Sequence, residues 1–273
     1  MIGALSYRLR VQQAGRLPAS HGILLHAVCF DILRRFSPSL ARHVHDDLQE
    51  KPLTSAFLER LDGSRRQAPR QGSWSLPAGA QLAWRVTALS DEVLQAFLAL
   101  PSGAELQIGP LTVILEETIA APERCADTGL VEPQDLLARC AAVVSPQELT
   151  LDFKSTTAFR IDQGDYTWPL PEYVFGSLAR RWQRLQMPLE LDEEAVRIKA
   201  RLLLPATWQG RTEQRYFGPR RGALGFTGLF SYRTDQLPEH ERLIFLLLAQ
   251  YAELSGTGRW TGYGLGQTRS HWR

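Results

Sequence analysis

Two histidines and a lysine lie close together in the run from Leu40 to Lys51 (LARHVHDDLQEK), at positions 43, 45 and 51. An imidazole titrates near neutral pH and can act as a general base or acid, and an ammonium group can stabilise developing negative charge. On a helix His43 and His45 point in different directions, whereas on an extended segment they share one face. A helical segment therefore offers one acid–base histidine with a cationic partner, and an extended one offers a histidine pair.

The same run contains Asp46 and Asp47, so His45 belongs to a mixed cluster of histidine and acid. Metal-dependent catalysis uses clustered carboxylates or spaced histidine and acid ligands. The other dense acidic run, residues 192–194, is consecutive, so its side chains radiate in different directions on a helix and favour that helix's N-terminus. We therefore predict that the protein uses no metal and no cofactor. The alternative is a metal site at the cluster of residues 45–47.

A second feature is the glycine-rich stretch GTGRWTGYGLGQTR, from Gly256 to Arg269. Its glycines indicate that the backbone turns sharply and that something packs or binds against bare peptide. No strand-to-helix crossover follows, which excludes a Rossmann fingerprint, and no Gly-Lys-Ser/Thr follows, which excludes a P-loop. Gly264 and Gly266, with Arg259 and Arg269 beside them, would suit phosphate oxygens. A purely structural role in close packing is the alternative.

Charge is distributed unevenly along the chain. The net charge is only +2, from 31 basic and 29 acidic residues, but the second half is rich in arginine. Such a pattern fits a basic surface for a polyanion, and it also fits solvated helix surfaces with ion pairs. The predicted polyanion-binding residues outside the glycine-rich stretch are Arg180, Arg181, Arg184, Arg220, Arg221 and Arg233.

The chain is long enough for two domains, with 273 residues, of which 44% are hydrophobic and 22% charged. The cysteines at positions 29, 125 and 140 are widely spaced and lack a CxxC pairing, which argues against a disulfide framework and a zinc site. The N-terminal run has no apolar core of a secretory signal, and no stretch approaches the length of a membrane span. We expect a cytoplasmic protein without a membrane partner.

The first half shows the element order of a ferredoxin-like domain, strand–helix–strand–strand–helix–strand. A turn and a helix cap are expected at residues 17–20, a short helical piece before His45, and a mobile hairpin or loop at residues 63–79. The predicted elements are strand Ala4–Val11, helix His21–Arg35, strands Pro52–Leu61 and Leu82–Leu89, helix Asp91–Leu100 and strand Ala104–Glu116.

The second half repeats this order more loosely after a weakly patterned break at residues 120–146. We therefore predict an α+β fold with tandem ferredoxin-like domains, at residues 1–125 and 145–273, the second of which ends in the glycine-rich loop. Its predicted elements are strand Leu149–Phe153, helix Pro171–Leu185, extended segments over Val196–Phe217, strand Phe226–Arg233, helix Pro238–Leu254 and strand Gln267–Trp272.

Four pieces of the sequence occur in the order of one known family. Leu40 to His45 is followed by Lys51 to Ser55, the middle piece runs from Leu151 to Trp182, Gly225 to Gly228 come next, and a helix with Leu248-Ala249 precedes the glycine-rich stretch. Together they resemble the CRISPR-associated endoribonucleases that cut precursor guide RNA within its repeats, the Cas six family of the RAMP superfamily. The resemblance covers nearly the whole chain.

The resemblance implies that His45 is the catalytic histidine and that Lys51 is the lysine which often follows it. Family members often carry a tyrosine on the preceding helix, and here that position is Phe30. RNA supplies its own nucleophile, the 2'-hydroxyl beside the scissile phosphate, so cleavage needs proton transfer and charge stabilisation and no metal. The expected products carry a 5'-hydroxyl and a 2',3'-cyclic phosphate or a 3'-phosphate.

The resemblance also implies the partners, which are CRISPR repeat RNA and other CRISPR effector subunits, and it leaves a homodimer open. The first alternative is a non-catalytic RNA-binding subunit of a CRISPR effector complex, which Phe30 would favour. The second alternative is a nucleotide- or phosphoester-binding protein that uses the glycine-rich loop. Cleavage of repeat RNA distinguishes an endoribonuclease from both.

Overall fold

The structure, a computed structural model, describes residues 1–62, 69, 71–161 and 164–273, and for Asp47 only the backbone. Contacts among Cα atoms group the chain into two compact units. The N-terminal unit contains Met1–Leu130, Arg215–Gly222 and Gly262–Gly264, and the C-terminal unit contains Val131–Gln214, Ala223–Thr261 and Leu265–Arg273. No helix in the described ranges has both the length and the apolar character needed to cross a membrane.

The N-terminal unit is built on an antiparallel sheet. Its elements are β1 (Ile2–Val11), β2 (Gly15–Pro18), α1 (Gly22–Phe36), α2 (Pro38–Arg42), a π-helical turn (His43–Asp47), β3 (Leu53–Ser55), β4 (Glu59–Arg60), β5 (Ser73–Leu76), β6 (Gln81–Ala88), α3 (Asp91–Leu98), β7 (Glu105–Ile108) and β8 (Leu111–Ile119). The sheet order β3-β6-β1-β8-β7 contains the ferredoxin-like arrangement, with β1 between β6 and β8.

Helix α1 and strand β1 form the centre of this unit. The buried positions of α1, including Leu25, Cys29 and Ile32, recur at helical spacing and join the core with Tyr7 of β1. The Tyr7 hydroxyl donates to the Phe97 carbonyl oxygen over 2.7 Å, which satisfies a buried polar group. The end of α1 before Pro38, predicted from the sequence, is confirmed.

Four predictions for the first half need correction. Gly15–Pro18 is a strand that pairs with Ser73–Leu76, so residues 17–20 are not a simple turn. Helix α1 begins after His21, which makes no side-chain capping bond. The strand predicted over Pro52–Leu61 is divided into β3 and β4. The single strand predicted over Ala104–Glu116 is a hairpin, because the chain reverses at residues 109–110 and β7 pairs with β8. Of the loop predicted at residues 63–79, residues 63–68 and 70 lie outside the described part of the chain.

Strand β9 (Gly129–Val131) spans the point at which the two units divide the chain. The remaining elements are α4 (Pro133–Ala141), β10 (Glu148–Thr157), β11 (Phe159–Ile161), β12 (Gly164–Tyr166), α5 (Pro171–Arg184), α6 (Glu193–Ala200), β13 (Leu204–Gly218), β14 (Arg221–Arg233), α7 (Glu239–Ser255) and β15 (Thr268–Trp272). The C-terminal unit has a four-stranded antiparallel sheet in the order β13-β14-β10-β15. Its first strand, β10, lies between β14 and β15, as β1 lies between β6 and β8 in the N-terminal unit.

The extended segment predicted from Val196 was wrong at its start, because Glu193–Ala200 is helix α6. The Asp192 carboxylate caps this helix by accepting from the backbone N–H groups of Glu194 and Ala195. Helix α4 was not predicted, although Pro133 at its first turn is a helix-start signal. The predicted α+β fold with tandem ferredoxin-like units is confirmed.

Candidate functional site

His45 lies on the π-helical turn His43–Asp47, which continues α2. The turn is anchored by Val44, which is 1% exposed and belongs to the core, whereas the side chain of His45 is 69% exposed. Because the turn is helical and not extended, the condition for a two-histidine site with His43 is not met. Single π-helical turns occur often at functional sites.

The imidazole of His45 is held from two sides. Its Nδ1 lies 2.6 Å from Oδ1 of Asp46, and its ring meets the ring of Phe30 edge to face, with 5.4 Å between centroids. A proton on Nδ1 that is donated to this carboxylate leaves Nε2 as the atom for proton exchange. The arrangement can therefore deliver or accept one proton from an exposed position.

Lys51 follows His45 in the sequence, and its side chain bonds back to the turn that carries His45. Its Nζ donates to the backbone carbonyl oxygens of His45 and Leu48, each over 2.6 Å. The structure thus brings the two predicted catalytic residues together through the backbone of His45. A cation held at this turn can stabilise both the turn and negative charge that develops beside it.

Sequence reasoning did not single out Tyr263, which lies in the glycine-rich stretch and is grouped with the N-terminal unit. Its ring stacks on His26 with 4.2 Å between centroids, and His26 in turn meets Phe30 over 5.0 Å. The rings therefore contact one another in a continuous column, in the order Tyr263, His26, Phe30 and His45. The spacing of His26 and Phe30, one helical turn apart, was a signal for their own contact, but it did not indicate Tyr263.

His26 is the neutral member of this column. Its Nδ1 lies 3.2 Å from the carbonyl oxygen of Gly262, which must accept, so Nδ1 carries the proton. Burial lowers the pKa of His26 to about 4, and the nearby charges of His45 and Lys51 act in the same direction. At neutral pH the imidazole is uncharged.

The structure divides the predicted glycine contacts between the units. Gly264 has φ 96° and packs so closely on Phe57 that a Cβ atom would lie 2.6 Å from its ring carbons. Gly266 in the C-terminal unit donates its N–H to the carbonyl oxygen of Thr156 over 3.0 Å, and its own carbonyl oxygen accepts from the backbone N–H of Thr257 over 2.7 Å. The amide of Gly266 is therefore used inside the fold.

Several predicted RNA-binding arginines of the C-terminal unit contact other protein groups. Arg181 donates to the carbonyl oxygens of Ser255, Gly256 and Gly258 at the end of α7. Three further predicted arginines form ion pairs: Arg180 with Glu193 at 3.4 Å, Arg233 with Asp235 at 2.6 Å, and Arg259 with Asp165 at 3.1 Å. Burial lowers the pKa of Arg259.

Three of the remaining predicted arginines are more open. The side chains of Arg184, Arg220 and Arg221 are exposed and make no hydrogen bond or ion pair with any described residue. Arg220 has φ 55° at the turn between β13 and β14. Arg269 lies on β15 opposite Asp152 of β10. Three arginines are thus available to an external anion.

Among the described residues, no three or more His, Cys, Asp or Glu side chains are grouped as a metal site would require. The alternative metal cluster at residues 45–47 includes the side chain of Asp47, which lies outside the described part. The described contact within it is the bond between His45 and Asp46.

Residues 151–268 match the family model of the CRISPR-associated endoribonuclease Cas6. No curated protein matches the chain. Cas6 of Thermus thermophilus in a product complex has a TM-score of 0.79 and 24% identity, over 99% of this chain and 100% of that one. A second Cas6 in a product complex has a TM-score of 0.74 and 25% identity, again over 99% and 100%, and this Cas6 was also solved with a substrate mimic.

A RAMP protein that binds different RNA substrates is similar in fold, with a TM-score of 0.62 and 12% identity over 98% of this chain and 99% of that one. At this identity the similarity shows the fold alone. The chain is similar to Cas6 in fold over almost its whole length and in sequence over residues 151–268. The resemblance predicted from the sequence is confirmed.

Proposed function

We propose that this protein is an endoribonuclease that cuts precursor CRISPR RNA once within each repeat, without a metal ion, to release mature guide RNA. The single observation that carries the proposal is the exposed imidazole of His45, fixed by Asp46 and Phe30 on a π-helical turn that Lys51 closes. The similarity to Cas6 structures with product and substrate mimic supports RNA as the substrate.

The proposed reaction is an internal transfer of the phosphoryl group. The 2'-hydroxyl loses its proton and its oxygen attacks the adjacent phosphorus, while the bond from phosphorus to the 5'-oxygen breaks and that oxygen gains a proton. The products carry a 2',3'-cyclic phosphate and a 5'-hydroxyl, and water can open the cyclic phosphate to a 3'-phosphate. His45 exchanges one of these protons, which contributes roughly 10²–10⁴-fold.

The other residues support this step. The ammonium group of Lys51 stabilises negative charge on the phosphate oxygens while it holds the turn. Phe30 has no hydroxyl, so it cannot supply the second proton transfer that a tyrosine could, and we expect modest turnover. Arg184, Arg220 and Arg221 are the proposed phosphate contacts, which makes RNA affinity sensitive to salt.

The test uses a transcript of the CRISPR repeat from the genome that encodes this chain. Wild type, His45→Ala and His43→Ala are incubated with the RNA in EDTA under single-turnover conditions. We expect wild type and His43→Ala to cleave at one position and His45→Ala to lose at least 100-fold in rate. Equal cleavage by His45→Ala, or complete loss of wild-type cleavage in EDTA, would contradict the proposal.

The second candidate function is a non-catalytic RNA-binding subunit of a CRISPR effector complex. The observation in its favour is Phe30, which removes a proton-transfer group from the column beside His45. Tight binding of the repeat by wild type without cleavage, in EDTA and with added Mg²⁺ alike, would support this alternative.

A further inference from the structure

A cavity of about 370 Å³ opens beside His45, and Lys51 is not one of its lining residues. Its apolar lining comes from Phe30, Pro38 and Ala41, which lie on α1 and α2. Arg34 and Arg42 line it as well. The proposed reaction assigns no role to this space.

The lining of the cavity combines apolar side chains with two arginines. Aromatic and aliphatic atoms contact the flat face of a nucleobase well, and arginine side chains stack on bases and bind the phosphates that flank them. The side chain of Arg42 is exposed and forms no hydrogen bond or ion pair with the residues that the structure describes. Arg34 pairs only loosely with Asp31, at 3.6 Å, and is 65% exposed.

The cavity also adjoins the proposed reacting atoms, because His45 and Asp46 are part of its lining. A phosphate placed at Nε2 of His45 is joined to two nucleosides, one on each side of the bond that breaks. A base from one of these nucleosides can therefore reach the cavity only if it leaves its stack with the neighbouring bases.

We propose that this cavity, the Phe30 pocket (Phe30, Arg34, Pro38, Ala41, Arg42), binds one unstacked nucleobase of a nucleotide that adjoins the cleaved phosphate. This inference rests on the proposed function for its location, and it adds a site that selects the cut position. The base lies against Phe30, Pro38 and Ala41, and Arg42 binds the backbone beside it. Capture of the base fixes the phosphate at His45 and lowers the entropy lost in the reaction.

The first test is a set of repeat RNAs with a single abasic site at each nucleotide around the cleaved bond. In single-turnover cleavage by wild type, we expect a loss of roughly tenfold at one of the two adjoining nucleotides and little change further away. The variant Arg42→Gln should lose a similar factor on intact RNA and lose nothing more on the sensitive abasic RNA. Arg16→Gln, an exposed arginine of β2 that does not line the pocket, is the matched control.

The second test measures base capture without cleavage. 2-Aminopurine at the sensitive nucleotide becomes more fluorescent when the base leaves its stack, and we expect this rise when His45→Ala binds the RNA. In the same background Ala41→Leu, which fills the pocket, should abolish the rise, whereas the small replacement Ala41→Ser should retain it. Circular dichroism checks that both Ala41 variants are folded. If one of them is not folded, the fluorescence rise is measured with Arg42→Gln instead.

The outcomes separate the two proposals. If all abasic RNAs are cleaved at the same rate and no fluorescence rise occurs, the pocket proposal is overturned. The proposed function is still preserved in that case if His45→Ala loses activity. A fluorescence rise that Ala41→Leu removes, in a protein that cleaves no RNA, preserves the pocket and overturns the proposed function. A rise that is unaffected by both Ala41→Leu and Arg42→Gln places the base elsewhere and contradicts the pocket.

Discussion

The ammonium nitrogen of Lys51 lies 2.6 Å from the backbone carbonyl oxygen of His45 and at the same distance from that of Leu48. Lys51 therefore positions the turn that carries His45, in addition to any contact with RNA. Lys51→Met removes two charge-assisted hydrogen bonds, each worth about 1.5–3 kcal/mol. We expect a fall in cleavage rate of roughly 10–100-fold and faster amide hydrogen exchange over residues 43–51. Unchanged exchange with reduced cleavage would assign Lys51 to the phosphate alone.

His21 should make the stability of the protein depend on pH. Its buried ring lies 2.9 Å from the Pro18 carbonyl oxygen through Nδ1 and accepts the Leu58 N–H at Nε2 over 3.2 Å. Burial lowers its pKa to about 4, from roughly 6.5 in the unfolded chain. The unfolded state therefore binds more protons between these pH values, so the stabilisation is complete above about pH 6.5 and is lost as the pH falls toward 4.

The measurement is urea unfolding at pH 7 and pH 5 for wild type, His21→Gln and His240→Gln. Glutamine does not titrate, so we expect His21→Gln to be less stable at pH 7 and to lose less further stability at pH 5, by about 1–2 kcal/mol. His240 is 78% exposed, and its variant should follow wild type. A parallel loss in all three proteins would contradict the assignment.

Arg181 and Arg184, on the same helix, should give opposite results. Arg181 donates to three carbonyl oxygens near the end of α7, whereas Arg184 is exposed and has no bonded partner among the described residues. We expect Arg181→Ala to lower the melting temperature by roughly 4–10 °C. Arg184→Ala should leave the melting temperature nearly unchanged and weaken RNA binding. An Arg181→Ala protein of unchanged stability would show that these bonds contribute little.

The exposed pair Arg220 and Arg221 should control the salt dependence of RNA binding. Each phosphate contact that is lost reduces the slope of log affinity against log salt by roughly 0.7–0.9. Arg220→Ala with Arg221→Ala should therefore reduce the slope by about 1.4–1.8. Arg233→Ala should reduce it less, because its guanidinium pairs with Asp235. Binding titrations at several salt concentrations measure all three slopes.

Much of the fold could be predicted because local patterns agreed with the tertiary structure. The helical spacing of the apolar residues in α1 and the alternation in β10 each match the face that is buried. Helix α6 was misassigned because its burial is slight, with Val196 and Ala200 as its buried residues, so the apolar pattern is weak. The capping residue Asp192 was the better signal.

The candidate site could be predicted only in part. His45 and Lys51 are close in sequence, so local spacing together with the family resemblance was enough to select them. Tyr263 is more than two hundred residues from His26, and its stacking depends on a long-range contact that no local pattern encodes. The internal bonds of Arg181 also depend on such contacts, because its acceptors lie on α7 and in the glycine-rich stretch.

In the proposed reaction the RNA supplies its own nucleophile and His45 moves one of the protons. The most direct measurement is cleavage by wild type, in EDTA, of a repeat RNA with a single 2'-deoxy substitution at the nucleotide whose 2'-hydroxyl adjoins the cleaved bond. We expect the deoxy RNA to bind as tightly as the unmodified RNA without being cut, and the unmodified RNA to yield a 2',3'-cyclic phosphate and a 5'-hydroxyl. Cleavage of the deoxy RNA at the same bond would contradict the proposed mechanism.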